Sequence, residues 1–156
     1  MSGLFMREAT AEDLPAIIAL LDDDEQSRGR EDASLPLDPR YTAAFELIDG
    51  NPDQLLVVAE RGGAILGTMQ LTFIPGVAFR GAWRMQIEAV RIASAARGQG
   101  LGSVMIEWAI AQARARGCRM VQLLSMRSRT DAHRFYERLG FETSHVGMKL
   151  KLEPAP

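Results

Sequence analysis

The stretch Arg97-Gly98-Gln99-Gly100-Leu101-Gly102-Ser103 joins a predicted strand to a predicted helix. Its alternating glycines let a ligand approach the backbone closely, because glycine carries no Cβ atom. The amide groups at the start of the following helix, with a partial positive charge of about +0.5, favour an anion. The stretch therefore predicts a loop that holds a mono- or diphosphate group.

Two better-known phosphate-binding motifs do not fit this stretch. The dinucleotide fingerprint needs a third glycine at its sixth position, where this chain has Ser103 or Met105, depending on the starting glycine. A Walker A loop needs a lysine, and the first lysine of the chain is Lys149. Nucleotide hydrolysis is therefore not expected, and a tight turn without a ligand is the alternative to a phosphate-binding loop.

Apolar periodicity and turn residues predict the elements around this loop. Helical spacing after capping residues indicates helices, and apolar runs bounded by Gly or Pro indicate strands. Strands are predicted at about 4–9, 54–61, 64–74, 82–92, 120–126 and 141–152, and helices at about 11–22, 39–49, 101–116 and 132–139. The order βααβββαβαβ predicts an α/β (α+β) fold whose mixed, mostly antiparallel central sheet is flanked by helices.

Composition excludes several classes of protein. The 156 residues, 47% hydrophobic and 24% charged, predict a single packed domain spanning residues 1–156. A net charge of -2 argues against a nucleic-acid partner. No stretch approaches the roughly 18 apolar residues of a membrane span, and no secretory segment is apparent, so we expect a cytoplasmic protein without a membrane partner. The single cysteine, Cys118, predicts neither a disulfide nor a thiolate metal site.

Two motifs in this chain resemble one known family. The run from Arg97 to Gly102 resembles the Arg/Gln-x-x-Gly-x-Gly/Ala signature of the GNAT superfamily, the acyl-CoA-dependent N-acyltransferases. The run Ala132-His133-Arg134-Phe135-Tyr136-Glu137-Arg138-Leu139-Gly140-Phe141 resembles the second motif of that family, a tyrosine-bearing helix that ends in Gly-Phe. The resemblance extends over nearly the whole chain and implies the GNAT fold.

The resemblance implies a set of site residues. The loop would bind the pyrophosphate of coenzyme A through the backbone of Arg97, Gly98, Gln99, Gly100, Leu101, Gly102 and Ser103. The strand backbone at Val90, Arg91 and Ile92 would pair with the pantetheine arm like an added strand. The acyl thioester would lie beside Glu88 and Tyr136. Where the family often has an asparagine, this chain has Arg129, which would reach a phosphate of coenzyme A or lie exposed at the helix start.

Acyl transfer needs a group that deprotonates the acceptor. An alkylamine with a pKa near 10.4 is more than about 99.9% protonated at pH 7. Glu88, predicted on the strand face of Val90 and Ile92, is the candidate base, directly or through a water. The alternatives are His133, a chain of waters, or a Glu88 carboxylate that is merely solvated or ion-paired. We expect no metal in this chemistry.

The resemblance gives Tyr136 the role of protonating the departing thiolate. Transfer from a phenol of pKa about 10 to a thiol of pKa about 8.5 is uphill by roughly 2 kcal/mol, so a stabilising hydrogen bond is an equal alternative. Tyr136 would otherwise be part of an apolar helix stripe. Cys118, distant from both motifs in sequence, is a poor candidate for an acyl-enzyme nucleophile.

These arguments predict an N-acetyltransferase that moves an acetyl group from acetyl-CoA to a primary amine in a ternary complex. The acceptor is a small molecule or a peptide, and the acidic run at residues 22–25 would attract a cationic amine or form a solvated surface. The alternatives are a non-catalytic acyl-CoA-binding or sensing module and a nucleotide-binding regulator. The resemblance also implies a homodimer.

Overall fold

The computed structural model describes residues 3–154. Its strands are β1 (Leu4–Glu8), β2 (Gln54–Arg61), β3 (Ala64–Ile74), β4 (Arg84–Ile92) and β5 (Met120–Leu123). Its helices are α1 (Leu14–Asp22), α2 (Pro39–Asp49), the single turn α3 (Ala78–Gly81), α4 (Leu101–Ala115) and α5 (Thr130–Arg138). The predicted order is confirmed through α5, with α3 as an additional turn between β3 and β4. The chain divides into two compact units, the first ending at Leu123 and the second beginning at Leu124.

The first unit contains a five-stranded mixed sheet in the order β1-β2-β3-β4-β5. Neighbouring strands are antiparallel except β4 and β5, which are parallel and are connected through α4. The β2–β3 hairpin turns at Gly62 and Gly63, whose φ angles are 58° and 83°. A two-residue turn between twisted strands needs such positive φ angles, so the glycine pair explains the hairpin. The predicted mixed, mostly antiparallel sheet is confirmed.

The two faces of the sheet pack against different helices. On one face Val58 joins a core cluster with Ile17 and Ile18 of α1 and Phe45 of α2. On the other face α4 packs so closely that a Cβ atom added at Gly67 would lie 2.7 Å from the sulfur atom of Met105. Because side chains alternate along a strand, the even-numbered residues in 54–58 and 68–72 face α1 and α2, and the odd-numbered residues of the same stretches face α4. A register shift after Ala59 places Ile65 on the side of α1 and α2.

An ion cluster fixes the entry to α1. The Arg7 guanidinium donates to both carboxylate oxygens of Asp13, at 2.7 and 3.0 Å, and to Glu60 at 2.8 Å. Asp13 is only 7% exposed and also accepts a hydrogen bond from the Thr10 amide at 2.7 Å. The Arg7 guanidinium holds the pKa of the Asp13 carboxyl below its usual 3.8. The cluster ties β1 to β2 and to the start of α1.

The second unit contains α5 and an irregular C-terminal segment. The predicted strand at 141–152 is wrong, because residues 141–154 form no regular element. A strand needs a neighbouring strand to accept and donate its backbone hydrogen bonds, and residues 124–154 contain none. The alternating side chains that suggested this strand are exposed, namely Val146, Met148, Leu150 and Leu152. The alternation of apolar side chains alone therefore did not specify a paired strand in this segment.

Candidate active site

A bulge interrupts β4 beside Glu88. Gln70 of β3 lies opposite Glu88, but the next partner pair on that side is Thr68 with Arg91, so two residues of β4 face one residue of β3. Ala89, within the bulge, has a φ of 53°, which L-residues other than glycine seldom adopt. Such bulges bend a strand and increase its twist, and they are common next to active sites.

The bulge changes which side chains share a face with Glu88. Directly opposed residues point to the same side of a sheet, so Glu88 lies on the side of Gln70, the side of α1 and α2. Arg91, opposite Thr68, lies on that side too. The predicted grouping of Glu88 with Ile92 is therefore wrong, because the extra residue breaks the regular alternation.

Next to the bulge, β4 also stops pairing with β5. Pairing between β4 and β5 ends at Ile87 and Leu123. Among the described residues, the stretch of β4 from Glu88 to Ile92 pairs with β3 only. Its other edge therefore presents backbone N–H and C=O groups to which an extended ligand can add as a strand. This edge includes the predicted residues Val90, Arg91 and Ile92.

The glycine loop leads from this edge into α4. Gly98 and Gly100 have φ angles of 74° and 78°, and Gly100 is the left-handed residue directly before the helix. The first turn is closed by a hydrogen bond from Val104 N to Gly100 O at 3.4 Å. The amides of Leu101 to Ser103 lie before that bond, where helical amides lack intrahelical acceptors. Helix N-termini of this kind favour a nearby anion.

The acidic run after α1 binds arginines of this region. Asp24 forms an ion pair with Arg91 at 3.2 Å, and both side chains are largely buried. Asp23 lies 3.6 Å from Arg97, whose Nε also donates to the carbonyl of Ile92 at 3.2 Å. These contacts compensate the charge of the two carboxylates within the chain. The run therefore holds the loop after α1 against β4, a role that the sequence did not predict.

Two glutamines orient Glu88. The side-chain amide of Gln86 donates to Glu88 Oε1 at 2.9 Å, and the amide of Gln122 donates to Gln86 Oε1 at 2.8 Å. The Glu88 carboxylate is exposed, so it is accessible to a ligand. Sequence reasoning missed both glutamines. Only the position of Gln86, two residues before Glu88 in a strand, indicated a shared face.

The remaining predicted site residues lie in the second unit. Tyr136 is half-buried, with ring centroids 5.0 Å from Phe135 and 5.6 Å from Phe141 in edge-to-face contacts. Arg129 directly precedes α5, and its amide donates to the carbonyl of Met126 at 3.0 Å. His133 Nε2 lies 2.9 Å from that same carbonyl. A carbonyl only accepts, so Nε2 is the donor in this contact, and Nδ1 is the ring nitrogen of His133 that could act as a base.

Three further observations concern the cysteine, possible metal ligands and the helices. Burial raises the pKa of the Cys118 thiol, which keeps it protonated at neutral pH and makes it a weak nucleophile. Within residues 3–154 no three or more His, Cys, Asp or Glu side chains are placed to hold a metal ion. None of the helices in this range is long and apolar enough to cross a membrane.

Comparison with known families decides what this arrangement is. A model of the acetyltransferase (GNAT) family matches residues 14–141, a range that includes the bulge, the glycine loop and α5. The chain belongs to the GNAT family. Membership makes it an acyltransferase, and the family uses acetyl-CoA as acyl donor.

One curated relative has the name of an N-acetyltransferase, and two solved structures share the fold. The chain is 30% identical to aminoalkylphosphonate N-acetyltransferase of Salmonella typhimurium, over 90% of this chain and 86% of the relative. It is 45% identical to a structure described as a transcriptional regulator from Bacillus halodurans, with a TM-score of 0.93, over 96% of this chain and 99% of the other. Glucosamine-6-phosphate N-acetyltransferase from Arabidopsis thaliana shares the fold, with a TM-score of 0.80, 21% identity, and coverage of 96% and 99%.

Proposed function

We propose that this protein transfers the acetyl group of acetyl-CoA to a primary amine by direct attack in a ternary complex, with Glu88 as the base. The observation that carries the proposal is the bulge at Ala89. It coincides with the end of β4–β5 pairing, and it lies directly beside an exposed carboxylate. The strand edge that is open to a ligand and the carboxylate that could accept a proton therefore lie on neighbouring residues.

The donor would be held by backbone groups. In our proposal the pantetheine arm pairs with the open edge at Val90, Arg91 and Ile92, and the pyrophosphate faces the amides of the loop from Arg97 to Ser103. The left-handed glycines and the first turn of α4 fit this use, because Gly98 and Gly100 carry no side chain and the amides of a first helical turn lack intrahelical acceptors. Arg129 is proposed as an additional contact to a phosphate.

Glu88 would prepare the acceptor. An alkylamine is almost fully protonated at pH 7, and only its neutral form attacks a carbonyl. Glu88 accepts the proton, directly or through a water, and the hydrogen bond from Gln86 holds the carboxylate in one orientation. Bound acetyl-CoA would supply the thioester carbonyl, to which the nitrogen bonds as the carbon–sulfur bond breaks.

Tyr136 would stabilise the leaving sulfur. Its phenol donates a hydrogen bond or a proton to the thiolate, and its ring is fixed by the edge-to-face contacts with Phe135 and Phe141. This assignment rests on the family resemblance of its motif. An ammonium nitrogen loses two protons on becoming an amide. Glu88 would take the one lost before attack. The one lost as the thiolate departs would replace the proton that Tyr136 gives to the sulfur or, where Tyr136 only donates a hydrogen bond, would reach the thiolate through water.

Two variants test the roles together. Glu88→Gln should lower turnover by at least about 100-fold, and Tyr136→Phe should lower it less, while calorimetry shows unchanged affinity for acetyl-CoA. Glu107→Gln, an exposed carboxylate on α4, is the matched control and should retain full activity. Full turnover of Glu88→Gln would contradict the assignment of the base.

A second candidate function is binding of acyl-CoA without turnover. It is favoured by one observation, the description of the Bacillus halodurans relative as a transcriptional regulator. Release of coenzyme A thiol that depends on an added amine would separate the two functions.

We further propose a single functional domain, a cytoplasmic location and a homodimer, with a small molecule or a peptide as the acceptor.

A further inference from the structure

An apolar cavity of about 120 Å³ lies in the first unit, between the sheet, α1 and α2. Its walls include Leu14, Ile17 and Leu21 of α1, and Phe45 and Ile48 of α2. Among the described residues that line it, none carries a charge. A cavity of about 150 Å³ with similar walls stays dry and binds benzene in another protein, so this volume suits one small ring or a short alkyl chain.

The few polar side chains in the wall already have partners. The Thr68 hydroxyl donates to the carbonyl of Val57 at 2.9 Å, and the Gln70 amide donates to Gln54 at 3.0 Å. The Tyr41 hydroxyl donates to the Glu31 carboxylate at 2.9 Å. A phosphate or phosphonate placed here would lose its water and gain no cation from the lining residues, with the second N–H of the Gln70 amide as the one donor that these bonds leave over.

The cavity lies on the side of the sheet that carries Glu88. Gln70 and Ala89 line it, Gln70 is the cross-strand partner of Glu88, and Ala89 is the next residue of β4. An ammonium group beside the Glu88 carboxylate would therefore have an apolar space next to it on the same face. The Glu88 carboxylate would bind the ammonium end of a ligand, and the apolar walls would bind its uncharged end.

We propose that the acceptor is a primary amine with an uncharged apolar body, which this cavity holds while its nitrogen lies at Glu88. The inference rests on the proposed acetyl transfer and adds the class of substrate. It distinguishes this protein from its Salmonella relative, whose name specifies an aminoalkylphosphonate. An acceptor with a phosphonate in place of the ring would be a poor substrate here.

Steady-state kinetics with three primary amines test the proposal. Thiol release and product mass are measured with 2-phenylethylamine, ethylamine and 2-aminoethylphosphonate at saturating acetyl-CoA. Burial of the ring should give 2-phenylethylamine a kcat/KM about 10- to 100-fold above that of ethylamine. The phosphonate should be no better than ethylamine.

A pair of variants on α2 locates the effect. Ala44 lines the cavity at an exposed rim, whereas its neighbour Ala43 is exposed and lies outside the lining. Ala44→Trp should reduce the preference for 2-phenylethylamine over ethylamine about tenfold, by filling the space for the ring. Ala43→Trp should leave that preference unchanged, and thermal unfolding verifies that both variants are folded.

The outcomes distinguish the inferred class of acceptor from the proposed acetyl transfer. Turnover of amines without a preference for the apolar body, a preference for the phosphonate, or equal effects of both tryptophans would overturn this inference and leave acetyl transfer intact. Absence of turnover with all three amines, in protein that binds acetyl-CoA, would overturn the proposed function and this inference with it.

Discussion

Substitution of Gly100 by valine tests the phosphate loop most directly. Gly100 has a φ of 78°, and it immediately precedes α4. An L-residue in the left-handed region costs about 1–2 kcal/mol, so Gly100→Val should lower the melting temperature by about 2–8 °C. The added branch would also project where the pyrophosphate is proposed to approach.

The loss of binding can be worked out from the amides involved. A hydrogen bond to a charged group contributes about 1.5–3 kcal/mol, and displacement of the pyrophosphate from two amides would remove about 3–6 kcal/mol. Each 1.4 kcal/mol is about tenfold in Kd, so the affinity for coenzyme A should fall about 10²- to 10⁴-fold. Calorimetric titration with coenzyme A and acetyl-CoA measures this change.

Gly117 provides a matched control for backbone strain. It has a φ of 73°, lies just beyond the C-terminal end of α4, and has no atom within 4 Å of an added Cβ. Gly117→Val should therefore show a similar loss of thermal stability with unchanged affinity for coenzyme A. A folded Gly100→Val protein that binds as tightly as the wild type would refute our placement of the pyrophosphate.

Three further substitutions give distinct outcomes. Asp13→Asn should lower the free energy of unfolding by about 3 kcal/mol at pH 7. Because the pKa of the Asp13 carboxyl is lowered in the folded state, its contribution to the free energy of unfolding is complete above the ordinary value of 3.8 and is lost as the pH falls below that value. Urea unfolding should therefore show the free energies of unfolding of the mutant and the wild type converging below pH 3.8. Gln86→Leu should lower kcat about tenfold without changing the Kd for acetyl-CoA, because only the orientation of Glu88 is lost; an equal loss of both would contradict a positioning role. Gly67→Val should destabilise the protein by about 1–3 kcal/mol in thermal or urea unfolding, since its side chain would collide with Met105, and an unchanged stability would contradict the close packing of α4.

Local signals were sufficient for most of the fold. The glycine pair 62–63 specified the hairpin, Pro39 after an aspartate specified the start of α2, and the loop before Leu101 specified the start of α4. Each of these features depends on the conformational preferences of one or two residues. They can therefore be predicted from the sequence without knowledge of the tertiary structure.

The parts that could not be predicted depend on pairing between distant residues. The bulge occurs at Ala89, and an alanine gives no indication that its φ will be positive. The ion pair of Asp24 with Arg91 joins residues far apart in sequence, so the acidic run gave no sign of its partner. The expected C-terminal strand failed for the same reason, because alternation describes a face and not a partner.

The bulge also has a consequence for chain length. If one residue were removed between Glu88 and Arg91, those two residues would keep their partners on β3, and the ladder would become regular. The shortened sheet would gain backbone pairing while β4 lost its bend. Selection for stability alone would thus favour the shorter chain. The extra residue at this point removes pairing and supplies the bend of β4. Comparison of related sequences should therefore count residues here before comparing them.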